Sequence, residues 1–193
     1  MKPDPLRNIA LLLVPVMLLT SACMPGRKGS GGAAENNNAG AASAVITSSD
    51  GLSRITLPPG WKQEQELHEQ ADLQAADRAN EMYVIVMSES KEDFRDMTAE
   101  KHSEFTRSAL TEKLESPELS EPKKVTVDGL PGTQYEIRGG VDNLNIAYLH
   151  TTLESPTHFH QILAWTLKSR LEKNRPVLDA VIHSFKEVAP ASK

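Results

Sequence analysis

The chain of 193 residues holds a single cysteine, Cys23, and that feature constrains its fold more than any other. No disulfide can form within the chain and no thiolate metal cluster can be built, so whatever folds must be held by apolar packing and hydrogen bonds. The surroundings of that cysteine are equally telling. Lys2 and Arg7 precede a short apolar run from Ile9 to Leu19, small residues follow at Thr20-Ser21-Ala22, and a polar tract begins after Cys23. This is the order of a secretory signal peptide. The apolar run is about eleven residues long and contains Pro15, whereas a helix that spans a bilayer takes about 20, so it reads as an export element.

Leu19-Thr20-Ser21-Ala22-Cys23 resembles a bacterial lipobox, departing from it at Thr20, where Leu is usual. The resemblance implies that residues 1–22 are removed as a lipoprotein signal peptide and that Cys23 is diacylated on sulfur. Acyl methylenes contribute about 0.8 kcal/mol each, so two or three chains would hold the protein firmly to membrane lipid. Ordinary cleavage after Ala22, leaving a free thiol, is the alternative. Met24, directly after the cysteine, resembles an outer-membrane signal of Gram-negative lipoproteins. The expected location is the cell envelope, and in a Gram-negative host the outer membrane facing the periplasm.

Removing the first 22 residues leaves 19 basic and 25 acidic side chains, a net charge of −6. That charge argues against nucleic acid as a partner. Residues 23–50 comprise the cysteine and a tract of Gly, Ala, Asn and Ser that buries too little apolar surface to offset its conformational entropy. It reads as a flexible linker, in which Ala44-Val45-Ile46 is at most a short strand. A folded domain is expected over 51–188, a length suited to one core, and a disordered tail over 189–193.

Within the domain, Ser53 to Leu57 alternates and stops at Pro58-Pro59-Gly60-Trp61, with Trp61 large enough to plug one end of a core. Ala71–Asp77 and Met82–Ser88 read as a hairpin turning at Arg78-Ala79-Asn80-Glu81. The second of these strands is apolar from Met82 to Met87, which predicts a central strand covered on both faces. Thr98 is the expected N-cap of an amphipathic helix with Ala99, His102, Phe105, Ala109, Leu110 and Leu114 along its stripe. Ser116-Pro117 closes it. A strand at Lys123–Val127, a turn over Asp128–Gly132, and three strands at Thr133–Arg138, Leu144–Leu153 and His158–Leu167 follow, joined by short links suited to antiparallel hairpins. A last helix opens at Ser169 with Glu172 three residues on, a capping-box spacing, and carries Leu171, Leu178, Ile182 and Phe185 on one stripe. Pro176 implies a kink there or a start after Asn174. Strands, helix, strand meander and closing helix together read as α+β with an antiparallel sheet covered by helices.

Leu57-Pro58-Pro59-Gly60-Trp61, the helix after Met97-Thr98, Val127-Asp128-Gly129 leading into Tyr135-Glu136-Ile137, and the ending Val181-Ile182-His183-Ser184-Phe185-Lys186 resemble, in that order, the PsbP/DcrB-like family. The resemblance spans roughly Ser53 to Glu187 and implies an α/β/α sandwich around an antiparallel sheet. That family includes extrinsic photosystem subunits, a Ran-binding import factor, envelope lipoproteins and chaperones for secreted effectors, which share binding and not catalysis. It therefore transfers no catalytic residue, and fold alone does not choose a partner.

The chemistry visible in the residues is sparse. His158 and His160 alternate onto one face of a strand about 7 Å apart, a spacing from which two imidazoles can share a zinc ion. His150, in the preceding strand, joins them only if the intervening turn has three residues; with two or four it points to the other face. No acidic or cysteine ligand accompanies them at a telling spacing. His102 reads as a hydrogen-bonded residue at the core edge. There is no Gly-x-Ser-x-Gly elbow, Gly139-Gly140 lacks the Lys-Ser/Thr of a phosphate loop, and the acidic run from Glu112 to Glu121 lacks a calcium-loop pattern. The reading that follows is a membrane-anchored envelope protein without catalytic activity or cofactor, which binds an envelope protein as an accessory or assembly factor. His158, His160 and Trp61 are its candidate binding residues. A carrier of a small ligand or lipid, with Trp61 and apolar strand faces lining a cavity, is the alternative, and a metal-dependent hydrolase built on the histidines is a third.

Overall fold

Three strands buried on both sides organise the domain. The computed structural model describes residues 42–188, so the signal peptide, Cys23, the linker up to residue 41 and the tail lie outside the described residues. In β5 (Met82–Ser90), β9 (Leu144–Glu154) and β10 (His158–Leu167), alternate side chains enter two different cores. Val84, Val86, Leu149, Leu153, Ile162 and Ala164 face one way and pack with Leu178, Val181 and Ile182 of α2 (Leu171–His183). Ile85, Tyr148, Leu163 and Trp165 face the other way and pack with Leu110 of α1 (Ala99–Thr111). The period of two that splits each strand between faces is what allows one sheet to carry a helix on each. The fold is thus α+β, an antiparallel sheet between two helical layers.

Around these strands the sheet is completed by β3 (Lys62–Gln63), β4 (Leu73–Asp77), β6 (Glu115–Leu119), β7 (Lys123–Val127) and β8 (Leu130–Val141). Its order is β3-β4-β5-β10-β9-β8-β6, with β7 pairing to the other half of the long strand β8. A second sheet of order β1-β2-β11 joins β1 (Ala44–Thr47), β2 (Ser53–Leu57) and β11 (Lys186–Glu187), and its Ile46, Ile55 and Leu57 enter the α2-side core.

The structure departs from the sequence expectations at identifiable places. Folded structure begins before Gly51, because Ala44–Thr47 pairs with β2 inside the stretch assigned to the linker. The segment Leu130–Gly132 is strand and not turn: Val127 pairs with Leu130, so Asp128-Gly129 alone turns the chain, at φ 49° and 82°. Likewise Val141 pairs with Leu144, and Asp142-Asn143 forms the link expected to take five residues, at φ 49° and 65°. Both are the left-handed conformation that two-residue hairpins with the native twist require and that Asp, Asn and Gly supply. The acidic stretch after α1 forms the edge strand β6, bent by Ser116 at φ 48° and an irregular register between Glu115 and Glu118. The expected capping box is not made: Lys168–Arg170 is a 3-10 turn, Arg170 provides no side-chain cap, and α2 begins at Leu171 and continues through Pro176.

Helix α1 is capped as expected, Lys101 N donating to Thr98 Oγ1 at 3.3 Å, but it is rotated. Its buried residues are His102, Ser103, Thr106 and Leu110, whereas Phe105 and Ala109 are only half-buried. The sheet beneath explains this, since it presents buried His150, Thr152 and Gln161 to the helix.

Candidate functional site

His158 and His160 project from the first residues of β10 on the α2 side, because Ile162 and Ala164 of the same parity lie in the α2-side core. Their rings are stacked with centroids 5.9 Å apart. His160 is 1 % exposed and leans on Phe185 at 4.9 Å between ring centroids. The carboxylate that serves both rings comes from the far end of the domain. Glu187 Oε1, on β11, lies 3.2 Å from His160 Nε2 and 3.5 Å from His158 Nδ1, and accepts a hydrogen bond from Ser155 Oγ at 2.8 Å. The other nitrogen of His160 is 3.0 Å from Ser88 Oγ on β5. Ser88 N in turn donates to Asp72 Oδ2 at 2.6 Å. Five segments of chain therefore meet at this cluster.

Burial sets its electrostatics. His160 is held below the usual histidine range because burial disfavours its cation more than the Glu187 charge and hydrogen bond favour it, with His158 and His102 adding repulsion. Burial pushes the Asp72 carboxyl up, against the hydrogen bond from Ser88 N, and the nearby charges of Asp50 and Glu89 push it further. A neutral His160 that accepts at Nδ1 from Ser88 and donates at Nε2 to Glu187 satisfies every atom of the ring. Among the described residues no group of three or more His, Cys, Asp or Glu side chains is placed to hold a metal ion.

His150 takes no part in this cluster. Phe159 pairs with Glu154 and His160 with Leu153, so a link of four residues separates the paired positions and His150 turns to the α1 side. It is fully buried there, with Nε2 3.1 Å from Thr106 Oγ1. Burial, aided by repulsion from His102 and Arg107, pushes its pKa down to about 3. His102 is 1 % exposed, lies 2.7 Å from Glu89 Oε2, and stacks on Phe159 with ring centroids 4.7 Å apart. Beside it a groove of about 260 Å³ opens between the first turn of α1 and the β7–β8 hairpin, lined among others by Lys124, Thr133, Thr152 and Glu154, the last paired with Lys91 Nζ at 2.7 Å. Trp61 is 7 % exposed in the α2-side core, apart from both the groove and the histidine cluster.

Sequence reasoning placed His158 and His160 on one face but missed Glu187, Ser88 and Asp72. The one available signal was parity: Ser88 continues the alternation that buries Val84 and Val86. Nothing local announces Glu187, which is 27 residues from His160 in sequence.

No family model matches the chain, and no curated protein does. Solved structures do. CyanoP, the cyanobacterial PsbP of Synechocystis sp. PCC 6803, is similar with a TM-score of 0.58 and 17 % identity over 83 % of this chain and 98 % of that one. LpqN, involved in cell envelope biogenesis of Mycobacterium tuberculosis, is similar with a TM-score of 0.58 and 12 % identity over 77 % of this chain and 91 % of that one. The Ran-binding protein Mog1p of Saccharomyces cerevisiae gives 0.53 and 12 % over 76 % and 96 %. At such identities the likeness establishes architecture: this domain has the PsbP-like fold.

Proposed function

We propose that this chain is a lipid-anchored protein of the cell envelope whose PsbP-like domain binds another envelope protein as a non-catalytic accessory or assembly factor. The observation that carries this reading is the join between an N-terminal stretch, residues 1–22, that reads as a signal peptide running up to Cys23, and a domain of a fold also found in LpqN, involved in cell envelope biogenesis, and in the Ran-binding Mog1p. The histidines support it, because His102 Nε2 and both ring nitrogens of His160 are engaged by side chains of the same domain. The carrier alternative needs Trp61 and the apolar strand faces to line a cavity, and those side chains pack against α2 and β2. A lipid on Cys23 would confine the domain to one membrane and so raise its effective concentration toward a partner there.

Mass spectrometry of the mature chain tests the anchor: the expected species begins at Cys23 with a diacylglyceryl group, and an unmodified Cys23 refutes it. For the partner, the full chain is crosslinked in intact envelopes beside a Cys23→Ser variant. A discrete heteromeric adduct that weakens when the anchor is removed is expected. Adducts that are absent, or the same for the anchored and unanchored chain, refute the accessory role.

A further inference from the structure

Beside the apolar cluster on the α1 side, part of the sheet meets the helix through polar side chains, where apolar ones are the rule. Ser103, Thr106, His150, Thr152 and Gln161 are all buried there. Their hydrogen bonding is incomplete in a defined way. Thr106 Oγ1 donates its one proton to His102 O at 2.9 Å, so toward His150 Nε2 it is an acceptor, and the imidazole proton must sit on Nε2. That leaves His150 Nδ1 as a bare acceptor, and it has no partner. Gln161 Nε2, a double donor, and Ser103 Oγ, which can do either, have none. Buried polar atoms are ordinarily paired, and three unpaired ones in one layer need an explanation.

The register places this layer directly behind the groove. Gln161 pairs across the strands with Thr152, which lines the groove; His150 is the next residue of β9 on that face; Ser103 follows His102, which also lines it. The groove offers the hydroxyls of Thr126, Thr133 and Thr152; its Glu154 carboxylate is paired with Lys91 Nζ at 2.7 Å, which leaves one ammonium, Lys124, and one carboxylate, Glu100, to balance. At about 260 Å³ it is slightly smaller than the pockets of roughly 300–1,000 Å³ that take drug-sized ligands. Its groups both donate and accept, and they carry no excess of either charge.

We propose that this groove binds a small, uncharged, polyhydroxylated ligand of the size of one sugar ring. Its hydroxyls pair with Thr133 and Thr152 and, as the first turn of α1 yields, with Gln161 Nε2, Ser103 Oγ and His150 Nδ1. An anion would meet Glu100, and a cation would meet Lys124, whereas a hydroxyl serves as donor to His150 and acceptor from Gln161. The site lies on the α1 side, away from the Glu187 cluster, and is independent of the lipid on Cys23.

The test is an NMR titration of the full chain with glucose and N-acetylglucosamine, and with glucose 6-phosphate and glucosamine as charged counterparts, read on threonine methyl resonances. The neutral rings are expected to move the Thr133 and Thr152 methyls saturably with a Kd of about 1–10 mM, and the charged rings to bind roughly tenfold more weakly. Gln161→Met weakens the neutral ring about fivefold or more; Thr133→Val, at a half-buried position, does the same with thermal unfolding unchanged. No saturable shift with any ring, tighter binding of a charged ring, or neutral-ring binding that either substitution leaves unchanged overturns the proposal.

Discussion

Acidification should weaken this domain before its carboxylates titrate, and His150 gives the size of the effect. Its pKa is about 3 in the fold, against an ordinary value of 6.5. Between those values the unfolded chain binds a proton that the folded one refuses, so stability rises with pH and is lost as pH falls through that window. As pH falls below 6.5 the loss approaches about 1.4 kcal/mol per pH unit, and between pH 7.5 and 5.0 it amounts to about 2 kcal/mol for this one side chain. His160, also held below the usual range, acts with the same sign. Asp72, whose carboxyl is pushed up, acts with the opposite sign, since the folded state then binds the additional proton. A loss of about 2 kcal/mol moves a urea midpoint by about 1 M. Urea unfolding at pH 7.5 and 5.0, followed by the fluorescence of the buried Trp61 and Trp165, measures that shift. His150→Gln keeps an N–H for Thr106 Oγ1 and does not titrate, so it should lose about 2 kcal/mol of the difference while Asp72 and His160 continue to act in both proteins. Equal pH dependence in the wild type and His150→Gln would refute the reasoning.

Four further outcomes follow from the packing. Gly129→Ala has open space around the new methyl but must hold φ 82°, which costs about 1–2 kcal/mol, whereas a Cβ at Gly132 would stand 2.2 Å from Thr152 O and should cost about 3 kcal/mol or more; reversed magnitudes in denaturant titrations would refute this. Glu187→Gln removes the charge that favours the His160 cation, so an NMR titration should show its pKa lower still and the Val188 amide, which donates to Leu52 O at 2.7 Å, exchanging faster; an unchanged His160 refutes the link. Pro176→Ala restores the hydrogen bond to the Glu172 carbonyl inside α2 and should stabilise by about 1–3 kcal/mol, so an unchanged or lower Tm counts against it. Native-state hydrogen exchange should show α1 opening at lower free energy than α2, because the one apolar side chain α1 fully buries is Leu110, beside the polar His102, Ser103 and Thr106, while α2 buries Leu171, Leu178, Val181 and Ile182; equal protection refutes this.

What the sequence revealed, and what it hid, follows from how far each signal reaches. Strand β5 was legible because an unbroken apolar run from Met82 to Met87 has few uses other than a strand covered twice. The turns at Asp128-Gly129 and Asp142-Asn143 were legible in kind but not in length, since Gly139-Gly140 and Pro131-Gly132 look like turn residues and are strand residues only because β8 extends beside β9. Strand β6 was hidden for a related reason: Glu-Ser-Pro-Glu-Leu has no apolar alternation, and it pairs because β8 offers an open edge from Ile137 to Gly140. Edge strands of this kind, charged, bent and interrupted by Pro, are a common device against aggregation, and the same traits conceal them.

The histidines show the same division more sharply. Alternation alone set His158 and His160 on one face by local counting, whereas the side taken by His150 hung on the length of the link, which the observed register fixes at four residues. The stripe on α1 failed because it was read by hydrophobicity, taking Phe105 and Ala109 as inward, when the sheet beneath is polar and selects Ser103 and Thr106. A helix rotates to satisfy whatever surface it covers, and a polar surface leaves no mark in an apolar pattern. The Glu187 cluster was out of reach for a different reason. Its members come from the residue just before β4, from β5, the β9–β10 link, β10 and β11, and they meet only once the second sheet has returned the end of the chain to β10. Both polar assemblies therefore depend on contacts between segments far apart in sequence, and they lie on opposite faces of the one sheet that sequence periodicity identified best.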